Sequence, residues 1–431
     1  MLKSTALNIL STLVKSSLSK LIIMIIVRLV YFYEKNDNEV NKKTILVLNS
    51  ERFNQDLISL TSDSRIRLLI LPSRIQTLIN SLFLDRNQSY EVSKYLKPDN
   101  EVKELVKFIS RLIIALDRRY NLCGVLTCSF YYRQDLPYQS SSLQTNIPYY
   151  VLFKEYMKDD CIVDLNIERF QKRGYKFLGK KIFAANSNIK HILIEAGVCT
   201  KDQVSIVGSP RFDSVFRGSN LVDKGAQKII TLFSFLHSSG GLQVNDSTKG
   251  NFFSDDPEVG FYHLFDHVHA AIAELALENP KNLFYIKTKW AGPWFERIAS
   301  SIMQNTGIDI ENIPNLLLDS EEDAQSLILR SSVIVAFNST TVLEASLLGR
   351  NLITPIFCEA KEKYLDTNVY FKEFLGSLTT ASSKEDLKNK IKVFPSNEVY
   401  NKIPEKMVSK FIHSFDGKSG ERIVNEISRK D

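Results

Sequence analysis

From Thr44 onward the chain alternates between short, continuous apolar runs and longer stretches whose apolar positions recur every three or four residues. The apolar runs read as strands: "TILVLNS" (44–50), "IRLLILP" (66–72), "GVLTCSF" (124–130), "PYYVLFKE" (148–155), "KIFAAN" (181–186) and "QVSIVGS" (203–209). Helical periodicity fills most of the gaps, notably in "EVKELVKFISRLIIALDRRY" and "SNIKHILIEAG". A polar, glycine-containing stretch at 218–227 then reads as a linker. The alternation restarts with "KIITLFSFL" (228–236), "NLFYIKTKW" (282–290), "NLLLDS" (315–320), "VIVAF" (333–337) and "LITPIF" (352–357), with helices expected at 257–278 and 322–332. Continuous apolar strands separated by helices predict parallel sheets covered on both faces. Two consecutive α/β halves, 44–217 and 228–431, predict two Rossmann-like domains facing a cleft. Asp416, in "DGKSGERIVNEISRK", is expected to cap a last helix that closes the second half.

Residues 1–40 have a different pattern. "LIIMIIVRLVYFY" (Leu21–Tyr33) is thirteen residues long, is interrupted by Arg28, and follows Lys3, Lys15 and Lys20. That is too short for a clean membrane span, and no small-residue cleavage site of a secretory signal accompanies it. Two readings stay open: a helix lying in a membrane interface, or a helix packed on the protein.

Composition narrows the class. At 431 residues two domains are expected, and 44% apolar with 24% charged content suits full globular cores. A net charge of +6 suits an anionic ligand or a membrane surface and is too weak to argue for nucleic acid. The five cysteines are scattered and form no C-x-x-C pair, which predicts reduced thiols in a cytoplasmic protein, with neither a disulfide frame nor a zinc ribbon.

Several motifs fall short. "GYKFLGKK" (174–181) approaches a P-loop, but Lys181 stands where a magnesium-binding hydroxyl belongs and the segment leads into a strand. "HLFDHVH" sets His263 and His267 one helical turn apart, yet Leu264 occupies the place of the H-E-x-x-H glutamate. A solvated or partner-facing helix is the expectation there. No G-x-S-x-G elbow is present, and no G-x-G-x-x-G follows the first strand.

Four segments converge at strand ends. In "AFNSTTVLEASLLGRNLITP" (336–355) an apolar strand breaks into Asn338, Ser339, Thr340 and Thr341, and Glu344 sits inside the helix that follows. Ser339 or Thr340 suits the N-cap and Gly349 the position after the helix. A helix N-terminus with extra hydroxyl donors, at the carboxyl end of a parallel strand, is an anion site. Plain capping is the blander alternative. "FYIKTKW" puts Lys287 and Lys289 at a strand end, on one face by the two-residue period. "GSPRFD" (208–213) ends the last strand of the first half, and "IPYYVLFKEY" places Lys154 and Glu155 at another strand end.

This ordered set resembles the GT-B-type glycosyltransferases of bacterial surface carbohydrate (capsule and O-antigen) synthesis and, more distantly, the CDP-glycerol glycerophosphotransferases. Gly208, Pro210, Arg211 and Asp213 match a G-x-P-R-x-D segment near the domain junction; Ser339, Thr340, Thr341 and Glu344 match the hydroxyl-rich turn and glutamate of the donor side. The likeness covers most of residues 120–430. It departs from the glycerophosphotransferases at "FNSTT", where they usually show a D-Y-S-S-type stretch, and at "KTKW", which lacks their histidine. Glycosyl transfer therefore ranks above glycerophosphate transfer. A UDP-N-acetylglucosamine 2-epimerase-like isomerase shares the twin-domain fold and is a third reading, and a degenerate scaffold is the non-enzymatic one.

The resemblance implies a nucleotide-sugar donor on the C-terminal domain and a lipid-linked or polysaccharide acceptor on the N-terminal one, with no cofactor and no obligatory metal. Asn338, Ser339, Thr340, Thr341, Lys287 and Lys289 would then meet the donor, and Glu344 its ribose. Glu155, with Asp135 behind it, is the candidate base for the acceptor hydroxyl. Arg211 and Asp213 would organise the hinge. A cytoplasmic enzyme, peripheral on the inner face of the plasma membrane if residues 1–40 attach there, is the combined expectation.

Overall fold

The computed structural model describes residues 18–33, 42–84, 95, 98–132, 134–218, 228–243, 258–394 and 403–429. Contacts divide the chain into two compact units, Met1–Lys158 with Asn166–Ser214 and Ser409–Asp431, and Asp159–Leu165 with Val215–Val408. The linker expected at 218–227 lies, from residue 219, outside the described residues.

The first unit runs α1 (Ser19–Leu29), β1 (Tyr31–Phe32), β2 (Lys43–Val47), α2 (Asn54–Thr61), β3 (Ile66–Ile70), α3 (Ser73–Phe83), α4 (Asn100–Tyr120) and β4 (Leu122–Thr127). It continues with α5 (Leu136–Thr145), β5 (Tyr149–Leu152), α6 (Val163–Lys172), β6 (Lys181–Ala184), α7 (Ser187–Glu195), β7 (Val204–Ile206) and α8 (Arg211–Gly218). Among the described residues its seven strands are ordered β1-β3-β2-β4-β5-β6-β7, and β1 alone is antiparallel to its neighbour. The helices start and stop where local chemistry directs. Asp99 accepts the Val102 amide at 2.9 Å to open α4, and Asn121, left-handed at φ 53°, ends it.

The second unit holds β8 (Ile229–Phe233), α9 (Tyr262–Glu278), β9 (Leu283–Lys287), α10 (Pro293–Thr306), β10 (Leu316–Asp319), α11 (Ala324–Arg330) and β11 (Val333–Ala336). After them come α12 (Thr340–Leu347), β12 (Leu352–Pro355), α13 (Glu359–Glu362), β13 (Thr379–Ala381), α14 (Lys384–Val393) and α15 (Glu405–Ile412). Among the described residues its six strands are parallel and ordered β10-β9-β8-β11-β12-β13. In chain order this is 3-2-1-4-5-6, the doubly wound arrangement, whose reversal point lies between β8 and β11. Without the edge strand β1, the first sheet reverses between β2 and β4. All four residues of β11 have no solvent exposure, which accounts for its unbroken apolar text.

Every strand expected from the pattern is present and ends one to a few residues early; β2 and β4 begin one and two residues before the expected start. β1 and β13 were not anticipated. β1 is two residues long, and β13 reads Thr-Thr-Ala, too polar to stand out.

The closing helix corrects the expectation that it belongs to the second half. α16 (Ser419–Ser428) buries Ile423, Val424 and Ile427 in the first unit's core with Leu57 and Leu60 of α2 and Ile45 and Val47 of β2. Asp416 accepts the Lys418 amide at 3.0 Å and pairs with Arg422. The amides of Ser419 and Gly420, at the helix start, instead donate to Asp213 at 3.0 and 2.8 Å. A carboxylate there also meets the positive end of the helix. Gly208 completes the joint: its φ is +88°, and a β-carbon would stand 2.6 Å from Ser419 Oγ. Asp213→Ala leaves two buried amides unpaired and should destabilise the protein by on the order of 3 kcal/mol, with Asp213→Asn intermediate. Urea unfolding measures this, and equal midpoints for wild type and Asp213→Ala would refute the joint.

Candidate functional site

In the second unit the reversal point brings together the segments that follow β8 and β11. After β11, Phe337 is buried, Asn338 turns left-handed at φ 47°, and Ser339 returns to extended backbone. Asn338 does not face a ligand with its side chain. Its amide donates to Asn368 O at 3.0 Å and its oxygen accepts the Tyr370 amide at 2.9 Å, so both ends hold the 368–370 segment. Gly240, at φ +72°, packs against the same pair, and a β-carbon would lie 2.4 Å from Asn338 Nδ2 and 2.1 Å from Asn368 O.

The three hydroxyls expected to act alike have separate positions. Ser339 is the N-cap: its Oγ accepts the Thr341 amide at 3.2 Å and donates to Thr341 Oγ1 at 3.1 Å. Thr341 is buried within the capping turn, whereas Thr340, the first helical residue, is half-exposed. Glu344 is buried one turn further in. Ser339 O accepts the Val342 amide at 3.1 Å, so the Thr340 amide and hydroxyl form the part of α12 open to an anion.

The lysines part company. Lys287 ends β9 and is 8% exposed; its ammonium donates to Thr288 O at 2.9 Å and lies 3.9 Å from Asp319 at the end of β10. Burial pushes its pKa down, against the pull of Asp319 and the acidic residues after it. Lys287 thus turns toward β10, with β8 between its strand and β11, a separation of about 10 Å. Lys289 lies beyond the strand end, exposed, with its ammonium 5.8 Å from the Trp290 ring centre. The two-residue period fails because the strand stops at Lys287.

One network escaped the sequence reading. Ser234, the residue after β8, lies 2.9 Å from His269 Nε2 and accepts from Trp294 Nε1 at 3.0 Å. His269 Nδ1 stands 2.7 Å from Phe265 O, which can only accept, so Nδ1 carries the proton and Ser234 donates to Nε2. Burial holds the His269 pKa down near 4, keeping the ring neutral. The "HLFDHVH" text contained this histidine, but helical spacing alone could not show that it faces inward. His267 meets the Cys358 thiol at 3.5 Å, and among the described residues no cluster suited to a metal ion forms.

In the first unit the reversal point lies between β2 and β4. Asn49, left-handed at φ 52°, donates its amide to Asp135, and Thr127 Oγ1 donates to the other carboxylate oxygen at 3.1 Å. Asp135 has no solvent exposure, and burial raises its pKa to about 8, only partly offset by these donors and by Arg52. This corrects its candidacy as a base: a sealed carboxyl that already joins two strand ends cannot reach a substrate hydroxyl.

Glu155 is placed differently. It is half-buried just past β5 and accepts from Tyr132 Oη at 3.4 Å. The Lys154 ammonium and the Arg52 guanidinium both lie over the Tyr132 ring, at 5.7 and 4.9 Å from its centre. Nearby Lys158 donates to Asn166 at 3.2 Å, and burial lowers its pKa to about 8 although Glu155's charge opposes the shift. Arg211 pairs with Asp56 at 2.9 Å, its guanidinium 5.6 Å from the Tyr156 ring centre. Together with Asp213 on α16, this makes "GSPRFD" a clamp within the first unit.

With this geometry in view, the fold can be compared with solved structures. A UDP-N-acetylglucosamine 2-epimerase is 13% identical over 91% of this chain and 98% of its own, with a TM-score of 0.52. A Listeria monocytogenes protein named as a UDP-N-acetylglucosamine 2-epimerase is 11% identical over 90% and 98%, with a TM-score of 0.50. The fold is of the GT-B type. It is an α/β architecture of two Rossmann-like domains. A glycosyltransferase from Rickettsia africae is 14% identical over 91% of this chain and 100% of its own, at a TM-score of 0.49. No family model matches the chain, and the curated proteins give no match in sequence. At such identities the likeness carries the GT-B part of the resemblance and leaves the surface-polysaccharide part without support.

Proposed function

We propose that the protein is an enzyme acting on a nucleotide-linked sugar, and that 2-epimerisation of UDP-N-acetylglucosamine is its reaction. The observation that carries the proposal is the start of α12. A half-exposed Thr340, whose amide and hydroxyl begin the helix, stands at the reversal point of a doubly wound sheet, with the Glu344 carboxylate one turn away. Phosphate oxygens suit the Thr340 amide and hydroxyl, and ribose hydroxyls suit the carboxylate. The choice of reaction leans on the solved structures that share the fold, which are named 2-epimerases. Glu155 is the group assigned to proton removal, which both inversion at a carbon and transfer to a hydroxyl require.

Glycosyl transfer to a lipid-linked or polysaccharide acceptor is the second reading. It is favoured by the apolar outer face of α1, where Leu21, Met24 and Ile25 are exposed, a surface suited to the lipid of such an acceptor. Proton NMR of UDP-N-acetylglucosamine incubated with the protein separates the two. Appearance of the 2-epimer without any acceptor supports the first reading. Free UDP formed only with an added acceptor would replace it with the second, and no thermal stabilisation by any nucleotide sugar would refute both.

Thr340→Val should weaken UDP-N-acetylglucosamine binding by about tenfold, a lost hydrogen bond to a charged group, with little change in unliganded stability. Thr341→Val should do the reverse, lowering stability by about 1 kcal/mol because the Ser339 hydroxyl loses its acceptor. Calorimetric titration and thermal melts of both variants check this. Equal affinities in the two would detach α12 from the phosphates.

A further inference from the structure

α1 is apolar on both sides. Ser19, Ile23, Ile26, Val27 and Val30 are buried, and the helix is fixed to the first unit through α4. Tyr120 Oη donates to Val27 O at 3.3 Å, Phe32 meets the Tyr120 ring edge-on at 5.9 Å, and β1 pairs with β3 directly after the helix. At 100° per residue these buried positions cover one arc of the helix. The opposite arc carries Leu18, Leu21, Met24, Ile25 and Leu29, between 44% and 56% exposed, and with them only Lys20 and Arg28 as charged groups.

Most exposed apolar side chains elsewhere in the protein are scattered; here five share one face. The helix is eleven residues long, about 16 Å, roughly half of a bilayer's hydrocarbon thickness. Among the described residues no helix is long and apolar enough to cross a membrane. Charge selects the occupant. Residues 1–33 contain Lys3, Lys15, Lys20 and Arg28 and no Asp or Glu. Arg118 and Arg119, at the end of α4 next to the residue that holds Val27, are exposed as well. Lys20 and Arg28 on the helix, with Arg118 and Arg119 at the end of α4, suit anionic lipid headgroups and would repel a second copy of the same face. Long basic side chains also keep their charge at headgroup level while their stems lie along apolar surface.

We propose that the outer face of α1 lies in the interface of an anionic membrane and attaches the first unit to it. This holds whichever reaction the enzyme performs. The test is sedimentation of the full chain with phosphatidylcholine vesicles, with and without phosphatidylglycerol. The wild type should sediment with the anionic vesicles and lose most binding at high salt. Leu21→Gln with Met24→Gln and Ile25→Gln leaves the buried arc intact, so melting temperature should hold while partitioning falls by about a hundredfold. Lys20→Glu with Arg28→Glu should abolish the preference for anionic lipid. Equal sedimentation of wild type and triple variant would overturn the proposal. So would a wild-type dimer, seen by light scattering, that the triple variant dissolves and vesicles do not affect. Binding that appears only after deletion of residues 1–17 would instead assign the face to that segment.

Discussion

Glu155→Gln should lower turnover of UDP-N-acetylglucosamine by about a hundred- to ten-thousandfold, the usual cost of losing a general base. Substrate affinity should stay within about threefold, because a general base acts on a proton in flight rather than on the bound ground state. Glutamine keeps an oxygen for the Tyr132 hydroxyl, which donates to Glu155 at 3.4 Å, so the local packing survives the change. The carboxylate is half-buried, with Lys154 and Arg52 held over the Tyr132 ring beside it. A base in that setting is shielded from bulk water yet reachable. Single-turnover rates and calorimetric affinities for the variant settle the matter. More than half of normal turnover would exclude Glu155 and direct attention to Lys158, whose pKa of about 8 is brought down by burial. Asp135 would not be next, since it has no solvent exposure.

The α/β layering was legible because both sheets, apart from the edge strand β1, are parallel and doubly covered, which makes most strands unbroken apolar runs. The same physics hid β13, an edge strand that pairs with β12 alone and needs little apolar character. The hydroxyl turn after β11 was legible as a helix start, since capping is local chemistry. The division of labour within it was not. Whether Thr340 or Thr341 faces outward depends on the turn of backbone set by Asn338 at φ 47°, and Asn338 is itself held by a segment thirty residues away. Long-range pairing defeated the reading of the chain's end for the same reason. Asp416 has the right local spacing to cap α16, but Asp213, some two hundred residues earlier, takes both amides. Ser234 and His269 are 35 positions apart and carry no motif, so only the packing of α9 on the sheet shows them as a pair.

The stability of the protein should fall as pH rises from about 4 to about 8, and Asp135→Asn should remove most of that fall. The folded-state pKa of Asp135 is raised to about 8 from an ordinary value of 3.8, with burial the main cause. Below the ordinary value the carboxyl is protonated in both folded and unfolded chains, and its contribution to stability is fully present. Between the two values the folded chain holds a proton that the unfolded chain releases. Each pH unit in that window therefore costs up to about 1.4 kcal/mol. Asparagine has the shape of the neutral acid and, like it, one carbonyl oxygen, which accepts from Asn49; its NH2 takes the place of the acid O–H facing Thr127 Oγ1, which can accept, and it has no proton to lose. At pH 4 the two proteins should differ by no more than about 1 kcal/mol; by pH 8 the variant should be ahead by on the order of 3 kcal/mol or more. Urea unfolding at half-unit pH steps gives both slopes. Parallel slopes would mean that Asp135 is ionised in the folded protein, with its two donors outweighing burial. The tie between the ends of β2 and β4 would then be a charged one.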